Sequence, residues 1–197
     1  MPHLFSDPEL AMSVSALTSG DSRVDAAIAR FEKLCHEKEV PIDASLTSIV
    51  VRKSERRLYL FSGGVLLAEF PIRIGRVPHG HKQAEGDRRT PEGDYYICYL
   101  NPESSFHLFM GLSYPNAEDA RAAYEEARIS KGKCEEIEQA ISGKDCPDWY
   151  TPLGGEVGIH GGGVKMYGTL GCIGLSNEDV ESIWGSAQIG TPVKIEK

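Results

Sequence analysis

Six glycines fall between positions 161 and 174, inside the stretch Ile159–Leu175, IHGGGVKMYGTLGCIGL. Glycine at that density lets the backbone turn sharply and come close to a ligand. The stretch therefore reads as a tight loop set between an apolar strand (Val157, Ile159) and a helix beginning near Ser176. It contains one histidine, His160, and one cysteine, Cys172, each beside a glycine. A thiol attacks well only as a thiolate, and an imidazole beside it can take its proton and later deliver that proton to a leaving group. Alone, a cysteine is most often a small buried hydrophobe and a histidine a hydrogen-bonded polar residue. Paired across a glycine loop, they read as nucleophile and general base, and turn amides converging there could hold an oxyanion.

The chain has 197 residues, 41% of them hydrophobic and 25% charged, enough for one substantial core with appendages. Its net charge of −8 argues against non-specific binding to nucleic acid or an anionic membrane surface. No run of 18 or more apolar residues is present, so no membrane span is expected. Five cysteines (Cys35, Cys98, Cys134, Cys146, Cys172) show no metal-type CxxC spacing. Cys134 and Cys146 are read either as a pair or as two buried thiols. His79 and His81 lack the companions of a zinc site, and no metal is expected.

Asp21–Glu39 places Val24, Ala27, Ile28, Phe31, Leu34 and Cys35 at spacings of three and four, an amphipathic helix packed on the domain or serving as a spacer. Strands are expected at Ile49–Val51, Arg57–Phe61, Val65–Ile74, Tyr95–Leu100, Phe106–Leu112 and Pro192–Ile195, with Ser62-Gly63-Gly64 as a hairpin turn. Short strands with glycine and proline turns predict a mostly β (α+β) fold, a β-sandwich or partly closed barrel. Gly75–Gly93 is a basic, turn-rich segment, either a solvated loop or a border of the cleft that touches substrate carboxylates through Arg88 and Arg89. Helical composition over Ala117–Lys131 and Cys134–Ser142, separated by Gly132, reads as an insertion, either a lid over the cleft or a surface excursion. Ser176 with Asp179 three residues on suits a helix N-terminus, and that helix runs to about Trp184.

The pairs His160-Gly161 and Thr169-Leu170-Gly171-Cys172-Ile173, with Gly86–Gly93 (GDRRTPEG) upstream and Gly190-Thr191-Pro192-Val193 downstream, resemble the L,D-transpeptidase (YkuD-type) catalytic domain family. The resemblance covers about Leu46 to the C-terminus, so 1–45 is an N-terminal segment with a helix and 46–197 the catalytic domain, with 117–148 inserted. It departs at Gly174, where the family's usual arginine after Cys-Ile is missing; Phe106–Asn116 (FHLFMGLSYPN) resembles a divergent branch with the same lack. The resemblance implies a peptidoglycan stem-peptide substrate, attacked by Cys172 at the carbonyl of an L-centre just before a D-residue to give a thioester. It implies no metal or organic cofactor. His160 is then base and later acid, oriented by a backbone carbonyl of the Gly161–Gly163 turn; Gly171 and Cys172 amides are candidate oxyanion donors, Thr169 braces the loop, and Gly161 and Gly162 border the substrate. His107 either lines the cleft or is a strand histidine with a satisfied hydrogen bond.

Transfer to an amine makes the protein a transpeptidase, and transfer to water makes it an L,D-carboxypeptidase or endopeptidase; the missing arginine raises the second. A non-catalytic wall-binding domain is a further reading. The first twenty residues show no basic n-region or apolar core of a secretory signal. The chain is therefore read either as an envelope or periplasmic enzyme lacking its leader, which the resemblance favours, or as a cytoplasmic thiol enzyme or redox sensor.

Overall fold

The computed structural model describes residues 21–163 and 167–197; the segment on which the leader question turns lies outside them. Helix α1 (Ser22–Glu37) starts where the Asp21 carboxylate accepts the Arg23 amide, 2.9 Å. Its apolar face, Val24, Ala27, Phe31 and Cys35, is buried against α4 (Asn177–Trp184), the helix that follows the glycine-rich stretch. Contact is close enough that a Cβ on Gly185 would lie 2.1 Å from the Ala27 carbonyl oxygen. The N-terminal helix is thus part of the domain's core rather than a spacer.

Strands β1 (Thr47–Arg52), β2 (Arg57–Ser62), β3 (Val65–Pro71), β4 (Gly93–Asn101), β5 (Phe109–Leu112), β6 (Gly158–His160), β7 (Ile173–Gly174) and β8 (Pro192–Glu196) form one mixed sheet in the order β3-β2-β1-β8-β4-β5-β6-β7. Alternation buries Ile49 and Val51 of β1 and Leu58 and Leu60 of β2, and α4 adds Val180, Ile183 and Trp184 to the same core. Past β3 the chain runs alongside the far edge of the sheet through bridges Arg73↔Gly174 and Gly75↔Thr169. First and last strands are thereby joined, and the partly closed barrel is the layout that forms.

Four expected boundaries move by three residues or more; the first is that of β3, which ends at Pro71 rather than Ile74. The strand expected over Phe106–Leu112 begins only at Phe109: His107 has φ 76° and its amide donates to Ser104, so 104–108 is a turn. The first inserted helix, α2 (Ala117–Glu125), stops early because Ala127 turns left-handed (φ 56°). The second, α3 (Lys131–Gly143), starts early because Ser130 caps it by accepting from Lys133 N. The break therefore lies at 126–130, and Gly132 sits inside α3.

The insertion is tied to the body at several points. Asp119 of α2 accepts from His81 Nε2 (2.9 Å) and from the Tyr95 hydroxyl (3.2 Å), while His81 Nδ1 accepts from Glu92 N. Beyond α3, Cys146 is bonded to Cys98 of β4, and Tyr96 donates to Asp145 O. Cys146 thus pairs with Cys98, and Cys134 is a buried free thiol on the inner face of α3, as are the free thiols Cys35 (buried) and Cys172 (half-buried) elsewhere. The loop between β3 and β4 is held by buried Lys53, whose ammonium donates to Gly80 O, Thr90 O and Glu92 Oε1 at 2.7–2.9 Å. No described helix is long and apolar enough to cross a membrane.

Candidate active site

Register places the two candidate side chains. β6 and β7 run parallel with Ile159 opposite Ile173 and His160 opposite Gly174. Both isoleucines are fully buried, so by alternation His160 and Gly174 face the other side of the two strands, and Cys172 is the residue that leads into β7. His160 at the end of β6 and Cys172, immediately before β7, are thereby brought to neighbouring positions in the fold.

His160 is buried, and its Nδ1 lies 2.7 Å from the Gly161 carbonyl oxygen, which can only accept. The proton is thus on Nδ1, and Nε2 is the basic nitrogen. Burial pushes the imidazole below its ordinary value of 6.5, against the carbonyl, which favours the charged form. The Phe106 ring lies over it, centroids 4.7 Å apart. Burial likewise pushes the Cys172 thiol above its ordinary 9.0, opposed by the Gly158 amide and the charge of Lys82 and reinforced by Glu156. At rest the pair is therefore neutral thiol and neutral imidazole, not a preformed ion pair. The sulfur's hydrogen bond goes to Glu156 O at 3.5 Å rather than to His160, and Glu156 holds a left-handed φ of 51° that aims its carbonyl there.

Thr169 holds the loop around the sulfur. Its buried hydroxyl donates to Cys172 O (2.6 Å) and accepts from Gly171 N (3.1 Å), while its backbone pairs with Ile74 and Arg76. Gly171 therefore has another part than oxyanion donor: its amide is occupied, and with φ 152° it carries the chain past the Arg89 carbonyl, 3.0 Å from where a Cβ would stand. No described residue accepts from the Cys172 amide, which leaves it as the donor candidate. Thr169→Val keeps the shape but strands a buried amide and carbonyl; we expect a loss of about 1–3 kcal/mol in urea unfolding, with a fall in Cys172 reactivity.

The YkuD family profile, the L,D-transpeptidase catalytic domain, matches residues 47–195. This chain belongs to that family. Among solved structures, the L,D-transpeptidase domain described here is similar to Bd1075 of Bdellovibrio bacteriovorus (TM-score 0.51, 21% identity, covering 76% of this chain and 47% of that one). It is similar also to the helical cell shape determining protein Pgp2 of Campylobacter jejuni (TM-score 0.50, 21% identity, covering 87% and 56%). The chain thus spans about half the length of each, and the likeness is one of fold. A comparison with curated proteins gives no match.

The other residues singled out in this L,D-transpeptidase domain fall in different places. Gly161 supplies the carbonyl for His160, and the Gly162 amide donates to Asn177 at the start of α4 (2.8 Å), so both fasten the histidine loop. His107 is bound to Glu181 of α4 (2.8 Å), and its carbonyl accepts from Arg23 of α1; it ties the two helices together. Arg88 and Arg89 border the site with their backbone, whereas the Arg89 guanidinium lies beside Gly80. Gly174, where the resemblance leads one to expect an arginine, is closely packed: a Cβ there would meet Gly163 Cα at 3.0 Å.

Two contributors escaped the sequence reading. Lys82 is buried, bonded to Asp87 (3.1 Å) and Ala84 O, with its Cδ 3.8 Å from the Cβ position of Gly171. Burial pushes the Asp87 carboxyl up, but the amides of Gln83, Arg89 and Ala84 together with Lys82 hold it below its ordinary range. Only its place in the basic segment could have flagged Lys82. Glu156 acts through a backbone carbonyl, which no residue type announces.

Proposed function

We propose that this domain is a cysteine acyltransferase of peptidoglycan stem peptides, an L,D-transpeptidase. The observation that carries the proposal is that the parallel pairing of β6 and β7 brings His160 beside the segment led by Cys172, with the histidine tautomer set by Gly161 O. In this reaction the thiol gives up its bond to Glu156 O, and attack on the L-centre carbonyl forms the C–S bond as the proton passes to Nε2 of His160. The Cys172 amide faces the resulting oxyanion. Collapse breaks the C–N bond, and the leaving amine takes the proton from Nε2. An amine then attacks the thioester, restoring an amide and the free thiol.

Gly174 favours a second reading, hydrolysis of the same thioester by water, as in an L,D-carboxypeptidase or endopeptidase. Both belong in the cell envelope, where the substrate lies; the Cys98–Cys146 disulfide, of a kind that persists in oxidising compartments, supports that placement. Incubation with a stem-tetrapeptide muropeptide, with and without an amine acceptor, followed by mass spectrometry, tests both. Crosslinked product and an acyl adduct mapped to Cys172 are expected. Shortened product alone would favour the hydrolase, and neither product nor adduct, with a carbapenem as a second acylating probe, would overturn the catalytic reading.

A further inference from the structure

Beside the cysteine loop, on the edge away from β6, lies a cavity of about 380 Å³ lined by Arg56, Arg73, Ile74, Gly75, Arg76 and Tyr167. Its floor is continuous with the active site, because Gly75 bridges Thr169 and Arg73 bridges Gly174, the two ends of the segment that carries Cys172. Arg73 is exposed between buried Ile72 and Ile74, so it faces the same side as Gly174 and His160. His160, Gly174 and Arg73 thus form a row across three strands, with the histidine and arginine backbones roughly 10 Å apart at two strand spacings. Gly174 contributes no side chain to that row, and Arg73 Cβ lies 3.7 Å from where one would begin.

The charge of this cavity is out of keeping with the chain. Acidic residues outnumber basic ones, 29 to 21, and Arg23, Arg30, Arg52, Arg121 and Arg128 are each paired with a carboxylate. Among the described residues six arginines have no carboxylate partner, Arg56, Arg57, Arg73, Arg76, Arg88 and Arg89, and three of them, Arg56, Arg73 and Arg76, share one concave surface. Guanidinium groups gathered without counter-charge repel one another, and a planar anion accepting two N–H groups at once removes that cost.

We propose that Arg56, Arg73 and Arg76 form a carboxylate-binding subsite that orients a peptide against Cys172. Its ligand is a peptide carboxylate, either the C-terminal one of the acyl donor or one flanking the attacking amine of the acceptor. The identity of the ligand rests on the stem-peptide reading above; the anion site itself does not.

The test uses ¹⁵N-labelled Cys172→Ala protein, which binds without turnover, and follows the arginine Nε–H resonances. Glutarate, as a simple dicarboxylate, should shift the three cavity arginines saturably, and added salt should weaken the effect. A stem tetrapeptide should then bind about tenfold more tightly as the acid than as its C-terminal amide, with Arg73→Gln abolishing the difference and Arg73→Lys restoring part of it. If amidation of the other carboxylate, not the terminal one, produces the tenfold loss, the subsite serves the acceptor. Glutarate binding at the arginines without any tetrapeptide binding would uphold the anion site and remove the stem-peptide reading. Unmoved arginine resonances, with equal affinities in Arg73→Gln and its parent, would overturn the subsite.

Discussion

Cys172→Ala is expected to abolish both the acyl adduct and turnover, and His160→Ala to slow acylation by about 10²–10⁴-fold. The two effects differ because, in the proposed reaction, the sulfur forms the bond that replaces the scissile amide, whereas the imidazole only moves its proton. Burial holds the Cys172 thiol above 9.0, so without a base little thiolate is present near neutral pH. The pH profile of wild-type kcat/KM should show the same division. His160 must be neutral to act, and burial lowers its pKa, so activity is lost only as pH falls through a value below 6.5. At the other end the thiol proton is needed by the leaving amine and stays in place until above 9.0, which gives a broad plateau. In His160→Ala the acid limb should vanish and the residual rate rise with pH as bare thiolate forms. Single-turnover acylation, read by intact mass across pH, measures all of this; an unchanged acid limb in His160→Ala would remove His160 as the base.

Cys98→Ser or Cys146→Ser should cost about 4 kcal/mol of stability, the loop-closure value for cysteines 48 positions apart. For a domain of this size that corresponds to a fall in Tm of roughly 8–16 °C, measured by calorimetry. The bond closes a loop containing α2 and α3, and the chain leaving Cys146 runs on to Glu156, whose carbonyl meets the Cys172 sulfur. Reduction of the wild type should therefore lower acylation as well as Tm, and the double variant should show both without reductant. Thiol titration of the denatured, unreduced protein should find three free cysteines, Cys35, Cys134 and Cys172. Five free thiols would show that the bond does not form.

The sequence by itself determined what is written in consecutive residues. The α1 stripe, the Ser176 cap on α4 and the hairpin turn at Ser62–Gly64 are local signals: each needs one face buried, one amide satisfied or one sharp turn, and residue type declares it. His160 and Cys172 stand out as candidates for the same reason, both lying inside one glycine-rich stretch. Helix limits in the insertion were less legible, because Ala127 adopts a left-handed backbone that its side chain does not advertise.

Only the tertiary structure decided the rest, since the contacts concerned join residues far apart in the chain or run through backbone atoms. The Cys98–Cys146 pairing depends on where the segment after α3 meets β4, which cysteine spacing does not encode. The Glu156 carbonyl and the Thr169 hydroxyl find Cys172 through the fold of the loop. Gly171 looked like an oxyanion donor until its amide was seen to be taken by Thr169. Arg73 reaches the row of His160 and Gly174 only because the sheet curls far enough to bring the chain leaving β3 against the far edge at β7. Long-range strand pairing uses backbone hydrogen bonds common to every residue, so the sequence can show that strands exist while their curl decides which side chains meet.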